Sequence, residues 1–269
     1  MKVFNSFAEA EGIVKGAVVA IGMFDGVHKG HKTIISHLRQ TANKVGGEST
    51  LITFWPHPRQ VLSNNQANLK LINTLEEKIG LLSQTGVQNL IVHPFTIEFS
   101  KTSGYDFLQN YLAKTLNAKA VVVGKNHFFG HNREGNFKQI AEFAESFSII
   151  AKQIPLKLID KEAISSASIR EALSLGNTSK ANQLLGYKYF VTGNISGSTQ
   201  SRRFLFITDQ QIKLLPTRGV YICSLKNRDE EINCTAEISA QSNGADEIVV
   251  MFEHKRKLNP SVQQTLTFF

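Results

Sequence analysis

Cysteine is nearly missing from this chain: Cys223 and Cys234 are the only two in 269 residues. Two thiols are too few for a disulfide framework, so a small stapled scaffold is excluded. Both fall in strand-like stretches and are expected to be buried, inert thiols. Tryptophan occurs once, as Trp55, and methionine three times. No long hydrophobic run is present. The longest, residues 17–24, is far short of the ~20 residues that a membrane-spanning helix takes. The opening residues, Met1-Lys2-Val3-Phe4-Asn5-Ser6, lack the apolar core and small-residue cleavage site of a signal peptide. These absences point to a soluble cytoplasmic protein with no membrane partner. Charge is also sparse, at 19% of residues.

What is there is enough apolar residue, 42%, to build a core, which excludes a disordered chain. The net charge is +8. It is spread along the chain, with 20 basic against 14 acidic residues in 1–185 and 10 against 8 in 186–269. Nucleic-acid binding calls for a basic stripe with interleaved aromatics, and the densest basic run is only His254-Lys255-Arg256-Lys257. A site for phosphorylated small molecules suits the mild bias.

Residues 1–185 alternate short apolar strands with amphipathic helices. Strands are expected at 17–21, 49–54, 89–92, 120–123 and 156–159. Helices are expected at 29–45, from 74, from 103 to about 116, and at 137–145. Thr74 with Glu77 forms a capping box. This βαβα order implies a Rossmann-like α/β fold, a doubly wound parallel sheet with helices on both faces. Near residue 187 helical periodicity stops. Strand-like pieces at 189–195, 204–208, 219–225, 231–238 and 247–253, separated by loops, suggest a small β-barrel over 186–269. A short terminal helix is expected near residues 260–266.

The chemical signal is strongest in Gly22-Met23-Phe24-Asp25-Gly26-Val27-His28-Lys29-Gly30-His31, directly after a strand and opening a helix. A helix N-terminus presents free N–H groups and a positive dipole end, so it attracts phosphate. Gly22 and Gly26 let the backbone approach a ligand. His28 and His31, three apart, share a face of the first turn and can stabilise charge developing in phosphoryl transfer. The same pair can instead only cap and pack. Zinc is opposed by the lack of a third nearby ligand. A second signal is Ile164-Ser165-Ser166-Ala167-Ser168-Ile169-Arg170. Ser165 or Ser166 can cap a helix there, and Arg170 adds a charge-assisted donor. By itself this is an ordinary helix start. With the histidine motif it reads as the second jaw of a triphosphate site. His93 reads as structural, and His127 and His131 as solvated loop histidines.

Together the two motifs resemble the HxGH nucleotidyltransferase superfamily. Four further stretches narrow the likeness: Trp55-Pro56-His57-Pro58-Arg59, Leu71-Ile72-Asn73-Thr74-Leu75-Glu76-Glu77-Lys78, Ile91-Val92-His93-Pro94-Phe95-Thr96 and Phe129-Gly130-His131-Asn132-Arg133-Glu134-Gly135. They are similar to the bacterial bifunctional riboflavin kinase/FAD synthetases. The resemblance implies that residues 1–185 transfer AMP from ATP to FMN, giving FAD and pyrophosphate, and that residues 186–269 form a kinase-type barrel. It implies ATP phosphate contacts from the catalytic pair His28 and His31. It implies that Ser165, Ser166 and Arg170 hold the β- and γ-phosphates. Gly22, Phe24, Asp25, Gly26 and Gly30 would bind ATP, and Trp55, His57, Pro58, Asn126 and Phe129 the flavin. Mg²⁺ would come with ATP, without a dedicated cage of protein ligands.

The chain departs from that family at clustered positions. An acidic residue is expected where Trp55 stands, Asp at Asn126, Arg at Phe128 and Thr at Ala167. The ATP jaw is intact and the flavin side altered. In the barrel, Leu185-Gly186-Tyr187-Lys188-Tyr189-Phe190-Val191-Thr192-Gly193 and Leu215-Pro216-Thr217-Arg218-Gly219-Val220-Tyr221 match. The GxPTAN-type motif that serves MgATP is replaced by Ser201-Arg202-Arg203-Phe204-Leu205-Phe206-Ile207-Thr208-Asp209. The expectation is an adenylyltransferase with a degenerate kinase module and riboflavin a doubtful substrate. The competing readings are a non-catalytic nucleotide- or flavin-binding paralogue, a fully bifunctional enzyme, and a transferase with another acceptor.

Overall fold

A computed structural model describes residues 1–62, 69–125, 128–155, 158–159, 162–196, 200–208, 212–240, 246–260 and 262–269. The chain divides into two compact units. One comprises Met1–Leu69 and Lys78–Ala163, the other Lys70–Glu77 and Ile164–Phe269.

The first unit is built on a six-stranded parallel sheet. Its strands are β1 (Lys2–Phe4), β2 (Ala17–Ile21), β3 (Glu48–Trp55), β4 (Asn89–Pro94), β5 (Ala120–Gly124) and β6 (Ile150–Ile154), in the order β1-β4-β3-β2-β5-β6. β2 is central and every residue of it is buried, which is why it reads as an unbroken apolar run, Ala-Val-Val-Ala-Ile. The long amphipathic helix α1 (Lys29–Val45) buries Ile35, Leu38, Thr41 and Ala42, a helical repeat visible in the sequence. Phe107, Leu108 and Leu112 turn inward from a stretch wound with π-helical spacing, Phe107–Thr115. They join Ala17, Val19, Ile21, Val121 and Val123 in one core cluster. Ser103 caps the turn before that stretch, accepting from the Asp106 N–H at 3.0 Å.

Two strand assignments change. The fifth expected strand, at 156–159, lies instead at Ile150–Ile154, where it pairs with β5. β7 (Leu158–Ile159) pairs with β8 (Glu162–Ala163) in a separate two-stranded sheet, and residues 156–157 lie outside the described set. β6 borders the sheet on one side only, so Lys152 and Gln153 sit on it without disrupting a buried face, and its apolar signal is diluted. β1 is short and polar at its start, which hid it.

The second unit holds a closed antiparallel barrel in the order β10-β13-β12-β11-β14-β9. Its strands are β9 (Phe190–Ser196), β10 (Gln200–Ile207), β11 (Gly219–Asn227), β12 (Glu230–Ala240), β13 (Asp246–Lys257) and β14 (Gln264–Phe268). The expected terminal helix near 260–266 is therefore wrong. Gln264, Leu266 and Phe268 alternate inward as a strand that pairs with both β11 and β9, and closing the barrel overrides local preference. Cys223 and Cys234 face each other across β11 and β12, buried and reduced. Burial pushes the Cys234 thiol up to about 12 and the Cys223 thiol higher still.

Candidate active site

The Gly22–Gly30 loop leaves the C-terminal end of β2 and leads into α1. β2 lies between β3, to which the chain runs next, and β5, which it reaches later. That is the topological switch point of the sheet, where parallel α/β folds bind ligands. The loop is tightly wound. Phe24, Gly26 and Val27 all have positive φ, at 49°, 86° and 35°, and the Val27 N–H donates to the Phe24 carbonyl at 3.1 Å. Only Gly26 is conformationally at ease there. Gly22 is held by its N–H on the Ile52 carbonyl at 3.0 Å.

His28 caps α1. Its Nδ1 accepts from the His31 backbone N–H at 3.3 Å. An accepting Nδ1 places the ring proton on Nε2, so the capping bond selects the tautomer. The two imidazoles stack, 3.6 Å between centroids and 18° apart in plane. The Phe24 ring meets His31 edge-on at 5.2 Å. The His31 Nδ1 is buried with no hydrogen-bond partner among the described residues. Burial holds His28 down to about 4. Burial, then His28, then Lys78 hold His31 well below the usual imidazole range. At neutral pH the pair is uncharged, suited to donate or accept hydrogen bonds but not to supply a cation.

Asp25 is buried beside them. Facing it is Lys78, on the helix α2 (Leu75–Ser83). The Lys78 ammonium lies 5.3 Å from the centroid of the Trp55 ring at the end of β3. Trp55, expected on the flavin side, thus stands beside Lys78. In the sequence Lys78 is only the last residue of the stretch Leu71–Lys78. Nothing in a one-dimensional pattern marks a lysine as buried, and its sole hint was a position one step past the Thr74–Glu77 capping box. That box is present: Glu77 N–H donates to Thr74 Oγ1 at 3.2 Å and Thr74 N–H to Glu77 Oε2 at 3.1 Å.

The other expected flavin residues do different things. His57 Nδ1 accepts from the Arg59 N–H at 3.1 Å, at the start of the short helix Pro58–Leu62 that Pro58 opens. Phe129 is buried in the core cluster. Its backbone exchanges two hydrogen bonds with Gly135, at 3.1 and 2.8 Å. Phe128 is exposed. Asn126 and His127 lie outside the described residues. His93 packs its ring on Phe7 and Phe99, at 4.6 and 4.7 Å. Among the described residues no three His, Cys, Asp or Glu side chains gather as a metal site.

The serine–arginine motif belongs to the second unit. Ser165 caps the helix α3 (Ser166–Ser174), its Oγ accepting from the Ser168 N–H at 3.1 Å while Ser168 Oγ bonds back. Arg170 Nε donates to the Lys70 carbonyl at 3.2 Å. In the same unit Lys213, fully buried, donates to Glu77 at 2.5 Å and to the Ile72 carbonyl at 2.7 Å. Glu77 also accepts from the Thr192 N–H at 2.9 Å. The Lys70–Glu77 segment is held further by two backbone bonds between Leu71 and the chain around Lys213, at 2.7 and 2.8 Å.

The FAD synthetase family model matches residues 11–168, which include every residue of the histidine loop. The chain belongs to the FAD synthetase family. A bifunctional riboflavin kinase/FMN adenylyltransferase of Listeria monocytogenes is 33% identical over 223 residues, covering 79% of this chain and 69% of the relative. The Bacillus subtilis protein of the same description is 31% identical, covering 94% of this chain and 78% of the relative. A second Listeria protein, described as FAD synthetase, is 30% identical over 77% of this chain and 80% of its own length. Among solved structures, one described as a macrolide-efflux protein from Streptococcus pneumoniae superposes with a TM-score of 0.86, covering 99% of this chain and 88% of that one. At 22% identity the likeness to this FAD synthetase family member is one of fold. No helix among the described residues is long and apolar enough to cross a membrane.

Proposed function

We propose that the protein is an FMN adenylyltransferase, joining the AMP of ATP to FMN to give FAD and pyrophosphate. The observation that carries this is the stacked His28–His31 pair at the switch point of the sheet, within the stretch matched by the FAD synthetase family model. A phosphate oxygen of FMN attacks the α-phosphorus of ATP. The new P–O bond forms as the bond to the β-phosphate bridging oxygen breaks, and pyrophosphate leaves. No protein nucleophile is needed. Catalysis is positioning and charge stabilisation. His28 and His31 contact the phosphates through neutral imidazoles. Gly22, Phe24, Asp25, Gly26 and Gly30 shape the nucleotide's seat. Ser165, Ser166 and Arg170 are assigned the β- and γ-phosphates, and Trp55, His57, Pro58, Asn126 and Phe129 the flavin. The donor set among the described residues suits Mg²⁺ held by the nucleotide's own phosphates, where it would screen their charge. The cytoplasm is the proposed place of action.

We further propose that riboflavin kinase activity is weak or lost. Residues 201–209 stand where the resemblance calls for the MgATP-serving motif, of which residue 209 lies outside the described set.

The test is incubation with FMN and MgATP, with FAD read by chromatography and His28→Ala as control. FAD that disappears in the variant supports the proposal. Absence of FAD with retained ATP or flavin binding favours a non-catalytic binding protein instead. Riboflavin in place of FMN tests the kinase, and measurable FMN would overturn that part.

A further inference from the structure

We propose that Lys78 is an anion-binding residue of the adenylyl-transfer site, supplying to the phosphates of ATP the positive charge that the His28–His31 pair does not. This rests on the reading above and adds a residue to it.

Three observations converge. Lys78 is only 1% exposed, and a lysine is almost never so buried without a partner. Among the described residues its ammonium has no hydrogen-bond acceptor. It lies over the Trp55 ring at 5.3 Å and faces the Asp25 carboxylate and the His31 imidazole. A cation so placed has lost most of its water and kept its donors unspent. Second, the His31 Nδ1 is an orphaned buried atom of the same cluster. The orphaned His31 Nδ1 and the ammonium of Lys78, on neighbouring elements, are served together by a ligand that accepts hydrogen bonds. Third, these groups stand beside the N-terminus of a 17-residue helix, whose free N–H groups and dipole favour the same kind of ligand. A phosphate answers all three.

The charge arithmetic agrees. Asp25 from the loop after β2 and His31 from α1 face Lys78, and the indole of Trp55 at the end of β3 lies under it. Both histidines are neutral at pH 7. Burial brings Lys78 down to about 8, with Asp25 opposing the shift. The lysine is therefore still mostly protonated at pH 7 and gives up its charge just above. The two histidines, held below the usual imidazole range, are already neutral at pH 7, and Lys78 loses its charge in the cluster between pH 7 and 9.

The sole tryptophan is the reporter, since a cation and a ligand beside an indole change its emission. ATP is titrated into the full chain, with Trp55 fluorescence followed, for wild type, Lys78→Met and Lys78→Arg. The expected result is an ATP Kd raised about ten-fold or more in the Met variant and largely recovered in the Arg variant. In FAD formation, KM for ATP rises in parallel while KM for FMN stays put. Wild-type affinity for ATP falls as pH rises from 7 to 9. Wild-type affinity in Lys78→Met, or an affinity flat from pH 7 to 9, overturns the proposal. The wild-type titration decides the matter even if Lys78→Met does not fold. Lysine-dependent ATP binding without FAD formation would sink the adenylyltransferase reading and leave the Lys78 assignment standing.

Discussion

His28 and His31 lie face to face, and the first caps the helix that carries the second. One side chain therefore serves two ends: it closes the helix start and holds the neighbouring imidazole against its own ring. Structure and chemistry are hard to separate at this pair, so each prediction about it needs two readouts.

His28→Ala is expected to lower FAD formation at least a hundred-fold, in the range found when a charge-stabilising donor is removed from a transition state. Loss of the cap costs about 1 kcal/mol of stability. A stopped enzyme whose melting temperature falls by only a few degrees fits both roles. Full activity in the variant would show that the pair only caps and packs.

Acid destabilises the first unit through the same residues. His28 is held at about 4 in the folded chain against 6.5 in the unfolded one. A depressed value means that the unfolded chain takes up the proton first. The stabilisation is fully present above pH 6.5, declines as pH falls from 6.5 to 4, and is gone below. The shift is worth roughly 3 kcal/mol for His28, and His31 adds to it with the same sign. Urea denaturation at pH 7 and pH 4.5 measures it. His28→Gln should shrink the difference to the share that His31 contributes.

The two loop glycines differ in kind. A Cβ on Gly22 would meet the Phe24 ring at 3.4 Å, an ordinary contact. Gly22→Ala is expected to keep the stability within about 0.5 kcal/mol and yet to weaken ATP binding, because the methyl occupies the nucleotide's approach. Gly26 has a φ of 86°, and Gly26→Ala should cost about 1 kcal/mol or more. Calorimetry paired with an ATP titration separates strain from obstruction.

In the second unit, Glu77→Ala removes the carboxylate to which the buried Lys213 donates and should cost about 3–5 kcal/mol. Replacing both, as Glu77→Leu with Lys213→Met, should recover much of that loss, since it removes the stranded charge. Guanidinium unfolding of the three proteins tests the coupling. Equal stability of the single and double variants would show that the loss in Glu77→Ala does not come from the lysine charge left behind.

Local features were legible in the sequence. The helix Lys29–Val45, the Thr74–Glu77 box and the Ser165 cap are all set by residues within four positions of one another. The alternation of strands and helices gave the parallel sheet, because central strands buried on both faces cannot hide their apolar runs. Elements decided by distant partners were not legible. β14 reads locally as a helix because its reason to be a strand is pairing with β11 and β9, outside its own stretch of sequence. β6 was displaced because a bordering strand tolerates lysine and glutamine. The histidine loop of the candidate site could be read from its spacing. Lys78 could not, since burial of a charge is a property of three-dimensional packing.

The second unit is not contiguous along the chain. Residues 70–77 belong to it, although the residues before and after them belong to the first unit. Among these eight is Glu77, the counter-ion of the buried Lys213. No single cut can then yield two intact halves. A barrel expressed from residue 186 onward loses the Glu77 carboxylate to which its buried lysine donates. A fragment ending at residue 185 carries a segment whose partners are missing. The two units must be inherited, expressed and engineered together, and an exchange of barrels between relatives would have to carry Lys70–Glu77 along with it.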